Sequence, residues 1–381
     1  MSEKNSYNFP VGYLNLHEQE NINFQLNRLI LNGADPEEVK KLAPKISDFN
    51  DWKRELVSLA EKALNKDQKL KAAWYFRAAE FFVDPKEPEK ERLYDKFIDL
   101  YYSVKPEVEK KKVEVPYEEI NIPCIHLKND DRKGTVLIHG GYDSVLEELY
   151  MMGTYIRDSG YEVVLFEGPG QGGVLEKKNF PMTPEWEKPT KAVLDYFGFT
   201  DVTLIGLSLG GYLALRATAF EPRISKVVAF DVIYDFFQVL LYASGEKVSQ
   251  MVQSFLDNGK IELLNKTMLR VMQHNLLVNW GVNHGMHVFG VDTPYEYLEQ
   301  ARLYSTAKFS DKIHCDVLLL AGTKDHFIPL EMFYKQIESL KNVRSLTARM
   351  FTEQEHGANH CQYGNLKLAL DFIINWINIT G

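Results

Sequence analysis

The chain has 381 residues, a formal net charge of −9, 45% hydrophobic and 25% charged residues, the profile of a globular chain of two or three domains. That balance excludes a collagen, a disordered tail and a bundle of membrane spans. With 44 Lys+Arg against 53 Asp+Glu and no long basic run, it also excludes the electrostatic footprint of a nucleic-acid binder.

Three cysteines, Cys124, Cys315 and Cys361, are odd in number and widely spaced, so they supply neither a disulfide framework nor a CxxC pair for zinc. The first residues are polar and lack the apolar stretch of a signal peptide, and no window reaches roughly 18 uninterrupted apolar residues. A cytoplasmic location is expected.

From about residue 14 to 104 apolar residues recur three and four apart, as in Trp52, Leu56, Leu59 and Leu64, then Trp74, Ala78, Ala79 and Phe82. This predicts about four helices, with Gly33-Ala-Asp-Pro36 opening one and Asp84-Pro-Lys-Glu-Pro88 breaking another. The aromatic stripe Trp74, Tyr75, Phe81 and Phe82 has the spacing of a packed face.

After Pro106 the pattern changes to short apolar runs alternating with helical stretches. Strands are expected at Ile122 to Leu127, Thr135 to Ile138, Glu162 to Phe166, Val202 to Ile205, Lys226 to Phe230, Asp316 to Leu320 and Leu346 to Phe351. Near-continuous apolar strands between helices imply an α/β fold with a parallel sheet covered on both faces. Between Phe230 and Asp316 lie far more residues than a crossover helix needs, and they are crowded with Phe, Tyr, Met and Leu. An inserted helical lid is expected there, with Met251, Met268, Met272, Met286, Trp280, Phe236, Phe237 and Phe289 divided between its core and an apolar pocket. The domains expected are a helical segment 1–108, a catalytic domain 109–231 with 306–381, and the lid 232–305.

The sharpest chemical signal is Leu204-Ile-Gly206-Leu-Ser208-Leu-Gly210-Gly211, a strand entering Gly-x-Ser-x-Gly and then a helix. Such a turn lifts the serine hydroxyl above the strand ends at a helix N-terminus, and small residues two before and two after leave room for it. A serine hydroxyl needs a base, and the base an orienting acid, following it in the order Ser, Asp, His. Asp325 follows the strand Val317 to Gly322 and stands where such an acid belongs; Asp231, at the end of the preceding strand, is its rival. The base is His356 or His360, between which spacing does not choose.

Acyl transfer also needs two oxyanion donors. The Leu209 N–H supplies one, and the loop His139-Gly140-Gly141-Tyr142-Asp143 the other, at Tyr142 or Gly141. His139 and Asp143 are expected to fix that loop. His284-x-x-His287 lacks a third ligand for a metal, and no metal or organic cofactor is expected. Gly168-Pro-Gly170-Gln-Gly-Gly173 matches the dinucleotide fingerprint, but that fingerprint needs a helix to start at once, and Lys177-Lys-Asn-Phe-Pro181 is expected to prevent it.

With these residues in view, the chain resembles the α/β-hydrolases that carry an N-terminal helical domain and an inserted lid. It is similar to the group of the 2,6-dihydroxypseudooxynicotine hydrolases, the fungal polyketide-shortening hydrolases and the fermentation–respiration switch esterases, often labelled acylaminoacyl peptidase-like. His-Gly-Gly-Tyr-Asp143-Ser with Glu147-Glu148, Glu167-Gly-Pro-Gly-Gln-Gly172, Gly-x-Ser208-x-Gly-Gly and Gly-Ala-x-His360-Cys-Gln carry the resemblance. It implies an α/β-hydrolase fold with a mostly parallel sheet, and His360 as the base. The activity it implies is hydrolysis of an ester-type bond, and the apolar composition of the lid points to a small apolar or aromatic carbonyl compound as the substrate. Carbon–carbon cleavage of a diketone-like compound and amide hydrolysis are the alternatives within the family, and a ligand-binding or regulatory protein is the alternative outside it. The partner expected is a small-molecule substrate, with neither nucleic acid nor membrane; a homodimer stays open.

Overall fold

The structure is a computed structural model and describes residues 7–380; residues 1–6 of the expected segment 1–108 lie outside the described residues. The chain forms two units. One runs up to Tyr13 and comprises Lys111–Ala243 and Arg302–Gly381; the other comprises Leu14–Lys110 and Ser244–Ala301. Residues 232–243 and 302–305 thus belong with the first unit, and the rest of the long insertion with the N-terminal helices.

The first unit is built on eight strands: β1 (Lys112–Tyr117), β2 (Ile120–Leu127), β3 (Thr135–His139), β4 (Glu162–Phe166), β5 (Val202–Leu207), β6 (Ile224–Phe230), β7 (Asp316–Gly322) and β8 (Ser345–Phe351). Their order is β1-β2-β4-β3-β5-β6-β7-β8. β1, β2 and β4 pair antiparallel and every other pair is parallel. Every residue of β3, β4, β5 and β7 is buried. Both faces of the sheet are therefore covered, which is what continuous rather than alternating apolar strands require. β1 was not expected from the sequence: it is a polar, largely exposed edge strand containing Pro116, tolerable only at an edge.

Register places the site. His139 lies opposite Gly206, Leu207 opposite Phe230, and Phe230 opposite Leu320, so β3, β5, β6 and β7 end side by side. From β3 the chain passes to β4 on one side and then returns to β5 on the other. Such a reversal opens a crevice at the carboxyl ends of the two strands that flank it.

One expectation needs correction. A helix, Gly172–Lys178, does begin inside the glycine-rich segment after β4. Its N-terminal amide is already claimed, since the Gly173 N–H donates to Glu167 at 2.8 Å. The buried Glu167 carboxyl group sits where the fingerprint would hold a pyrophosphate.

The second unit is helical: Glu20–Leu31, Pro36–Leu42, Phe49–Leu64, Lys69–Phe81 and Pro88–Val104, then Glu246–Asp257, Ile261–His274, Leu276–Phe289 and Pro294–Ala301. Asp35 and Asp48 cap two of these helices by accepting backbone N–H groups of their first turns. Trp52 is wholly buried and its indole N–H donates to the Ala78 carbonyl at 2.6 Å. Trp74, Tyr75, Phe81 and Phe82 are all buried. Trp280 stacks on Phe81, with ring centroids 5.2 Å apart, and donates to the Phe81 carbonyl at 3.0 Å. Met268, Met272, Met286 and Phe289 are buried, and His284 stacks on Trp280. Among the described residues no helix is long and apolar enough to cross a membrane, and Cys124, Cys315 and Cys361 are free thiols.

Candidate active site

β5 ends at Leu207 and the next helix starts at Leu209, so Ser208 alone makes the turn, at φ 59° and ψ −124°. This conformation is costly for a residue with a side chain and persists where its surroundings impose it. Here the Ser208 N–H donates to the Phe230 carbonyl at 2.6 Å. Across the turn, a Cβ on Gly206 would stand 1.9 Å from the Gly210 carbonyl oxygen. The glycine spacing in the sequence is the steric requirement of this turn.

Ser208 Oγ lies 2.8 Å from His360 Nε2, and His360 Nδ1 lies 2.6 Å from Asp325 Oδ2. A carboxylate only accepts, so Nδ1 carries the ring proton, and the neutral ring accepts from the Ser208 hydroxyl through Nε2. Asp325 is held in turn by the N–H groups of Phe327 and Ile328, at 2.8 and 3.1 Å, and the Phe327 ring packs edgewise on His360 at 5.0 Å. The structure thus brings Ser208, Asp325 and His360 together and leaves His356 out, on a left-handed turn at φ 57°.

Asp231 joins the cluster as a companion of Asp325 instead of replacing it. Its Oδ2 is 3.3 Å from the same His360 Nδ1. It accepts from the Cys361 N–H and the Gln362 side-chain amide, both at 2.8 Å. Burial pushes the Asp231 carboxyl up, and the nearby Asp325 charge adds to this against the hydrogen bond from His360. Burial would raise Asp325 too, but attraction to His360 and its hydrogen bonds hold it below the usual carboxylate range. For His360 burial is the largest single influence and works downward, but the attraction of Asp325, the Cys361 thiol and the hydrogen bonds to Asp231 and Asp325 together outweigh it, so the imidazole sits well above its ordinary value. Asp325 is therefore the acid that carries the charge, and Asp231 the one that more readily holds a proton.

Asp231, His360 and Cys361 offer donor atoms within 4.8 Å of one another, the arrangement among the described residues with metal-ligand chemistry. These donors are committed elsewhere: both imidazole nitrogens to Asp325 and Ser208, and Asp231 to Cys361 and Gln362. Burial also pushes the Cys361 thiol up, away from the thiolate a metal would want.

The loop after β3 reaches this cluster. A Cβ on Gly141 would stand 2.7 Å from Leu209 N and 2.6 Å from the Leu207 carbonyl oxygen, so Gly141, Tyr142 and Leu209 are neighbours. The Tyr142 ring packs on Phe236 at 5.2 Å. His139 is wholly buried against Phe166 and Trp186, and burial lowers it to about 4. It is neutral at physiological pH, and its Nδ1–H donates to the Gly140 carbonyl at 2.9 Å. One residue to which sequence reasoning gave no role, Gln171, also enters this loop; its signals were its place in a glycine-rich segment and in a motif that carries the family resemblance.

Residues 135–363, well over half of the chain, match the profile of the Alpha/beta hydrolase family. The chain belongs to that family. Among curated relatives, hydrolase acrC of Aspergillus aculeatus is 30% identical over 68% of this chain and 67% of its own length. Hydrolase LUC6 of Fusarium sp is 28% identical over 94% of this chain and 96% of its own, and 20-hydroxy-prefusarin hydrolase FUS2 of Gibberella moniliformis 27% over the same shares. Of solved structures, 2,6-dihydroxy-pseudo-oxynicotine hydrolase superposes with a TM-score of 0.64 at 19% identity, covering 93% of this chain and 95% of that one. AbyA5 gives 0.67 at 17%, covering 92% and 94%. The fold is that of the α/β-hydrolases, and the chain is an enzyme of the hydrolase class.

Proposed function

We propose that this α/β-hydrolase is a serine hydrolase that works by acyl transfer on a small, apolar or aromatic carbonyl compound, an ester-type bond being the one cleaved. The observation that carries the reading is the continuous relay from Ser208 Oγ through His360 to Asp325, at 2.8 and 2.6 Å. Ser208 attacks the carbonyl carbon while His360 Nε2 takes its proton. The tetrahedral oxyanion is held by the N–H groups of Leu209 and Tyr142, and His360 returns the proton to the leaving group. Water then repeats the sequence on the acyl-enzyme. Asp325 keeps the imidazole in the tautomer that accepts at Nε2 and stabilises the imidazolium that forms.

A relative named as a hydrolase of 20-hydroxy-prefusarin supports a small organic substrate. The test is Ser208→Ala beside wild type, with a fluorophosphonate probe, mass spectrometry of the adduct, and turnover of p-nitrophenyl butyrate. Labelling at Ser208 and a loss on the order of 10⁶-fold in kcat are expected. Unchanged turnover in the variant overturns the reading.

A further inference from the structure

The segment Glu167-Gly-Pro-Gly-Gln-Gly-Gly173 lies against the loop Gly140–Ser144, and the Gln171 side chain joins the two. Gln171 is almost wholly buried. Its Nε2 donates to the Gly140 carbonyl at 2.8 Å and the Gly141 carbonyl at 2.9 Å, and its Oε1 accepts from the Gly168 N–H at 3.0 Å. The amide orientation is unambiguous, because its two donors face carbonyls and its acceptor an N–H. Glu167 supports the same frame, accepting from the Leu146 N–H at 2.5 Å and the Gly173 N–H at 2.8 Å.

A trans peptide points its N–H away from its C=O. The Gly141 carbonyl belongs to the peptide whose N–H is that of Tyr142, so drawing this oxygen onto Gln171 turns the Tyr142 N–H to the opposite side. The Gly140 carbonyl is held twice, by Gln171 and by the His139 ring. For the Gly141 carbonyl Gln171 is the donor among the described hydrogen bonds. An oxyanion donor is effective only when it is aimed before the charge develops, since reorienting a peptide during reaction costs the stabilisation it supplies.

The geometry points to Gln171 as the positioning residue of the oxyanion site: through the Gly141 carbonyl it fixes the direction of the Tyr142 N–H. This rests on the serine-hydrolase reading above and deepens it. Gln171 touches no reacting atom, so its removal should spare substrate binding and reduce stabilisation of the tetrahedral state.

The test compares wild type with Gln171→Met, which keeps the length of the side chain, and Gln171→Glu, which keeps the acceptor for Gly168 and loses the donor. Each is assayed for p-nitrophenyl butyrate hydrolysis and for inhibition by an alkyl trifluoromethyl ketone, whose hemiketal with Ser208 places an oxyanion in the site. Melting temperature reports folding. Expected is a fall in kcat of about 10²-fold, the scale of one lost oxyanion donor, with KM within about threefold. The inhibition constant should rise by the same factor as kcat/KM falls. A purely structural role would lower the melting temperature and the active fraction without that parallel. Folded variants with wild-type kcat and inhibition constant overturn the inference alone. A wild type that neither hydrolyses the ester nor binds the ketone at Ser208 overturns the serine-hydrolase reading, and this inference with it.

Discussion

Two carboxylates face one imidazole nitrogen, and this makes the outcome of removing Asp325 depend on what replaces it. In Asp325→Asn the backbone N–H groups of Phe327 and Ile328 capture the amide oxygen, as they now capture Oδ1. That turns the NH₂ toward His360 Nδ1, which must then accept, leaving the proton on Nε2 where no base is available; the precedent for such a trapped tautomer is a loss of about 10⁴-fold in kcat. Asp325→Ala leaves no such trap. Without the Asp325 charge Asp231 ionises more readily, and its Oδ2 stands 3.3 Å from Nδ1, against 2.6 Å for Asp325. With an effective dielectric constant of about 20, attraction to the imidazolium is about 6.4 kcal/mol at the shorter distance and about 5.0 kcal/mol at the longer. The difference, about 1.4 kcal/mol, is tenfold in rate. Asp325→Ala should therefore lose about 10-fold to 10²-fold, Asp325→Asn about 10⁴-fold, and Asp325→Ala with Asp231→Asn should fall to the level of the Asn variant. Steady-state kcat on p-nitrophenyl butyrate, with melting curves for all variants, decides it. Equal losses in the Ala and Asn variants, with no further effect of Asp231→Asn, would refute the reasoning.

Because His360 must be neutral to accept the Ser208 proton and its imidazole is raised by Asp325, kcat/KM should rise with pH through a midpoint above 6.5; a pH–rate profile with its limb below that value contradicts the relay as drawn. Burial, reinforced by Glu147, pushes Glu167 up to about 8, so between its ordinary value of 4.5 and about 8 the folded state keeps a proton that the unfolded state releases, and stability falls as pH rises. Urea unfolding at pH 5 and pH 8 should show that fall to be smaller in Glu147→Gln by about 1 kcal/mol. Trp280→Ala, which removes a half-buried stack and the hydrogen bond to Phe81, should cost about 2 kcal/mol, read as a lower denaturant midpoint for the helical unit; an unchanged midpoint would show the stack to be idle.

The strands β3, β4, β5 and β7 were legible because fully buried strands are written as near-continuous apolar runs, and β2, β6 and β8, only partly buried, were read from shorter apolar runs between turns. β1 was not, since Lys112-Val-Glu-Val-Pro-Tyr117 is half solvated and its pairing with β2 supplies what its composition does not. Ser208 and Asp325 could be read because each stands just past the end of a strand in a local pattern, Ser208 directly after β5 and Asp325 in the short turn after β7. The choice of His360 over His356 needed the family resemblance, because two histidines four residues apart in a loop look alike until the loop is folded back to Ser208, 152 residues away. Asp231 was visible only as a competitor, and its partners Cys361 and Gln362 lie about 130 residues further on. Gln171 carried no chemical signal of its own. A glutamine in a glycine-rich loop becomes informative only when two carbonyls from a different loop meet its amide. The helix Gly172–Lys178 was missed because basic residues and Pro181 were weighed over the N-terminal Glu167 that secures it.

The helical unit is assembled from two stretches of chain with much of the sheet unit between them, and this sets an order of events during synthesis. Phe81 leaves the ribosome 199 residues before Trp280, a delay of about 10 to 40 s at elongation rates of about 5–20 residues per second. Throughout that interval the first five helices hold an aromatic face whose cover has not been made, while the strands up to β6 emerge. The nascent chain therefore carries a sticky intermediate for many times the folding time of a small helical domain, and its yield in a host cell should respond to chaperone supply and to translation rate across codons 111 to 280 more strongly than to the stability of the finished enzyme.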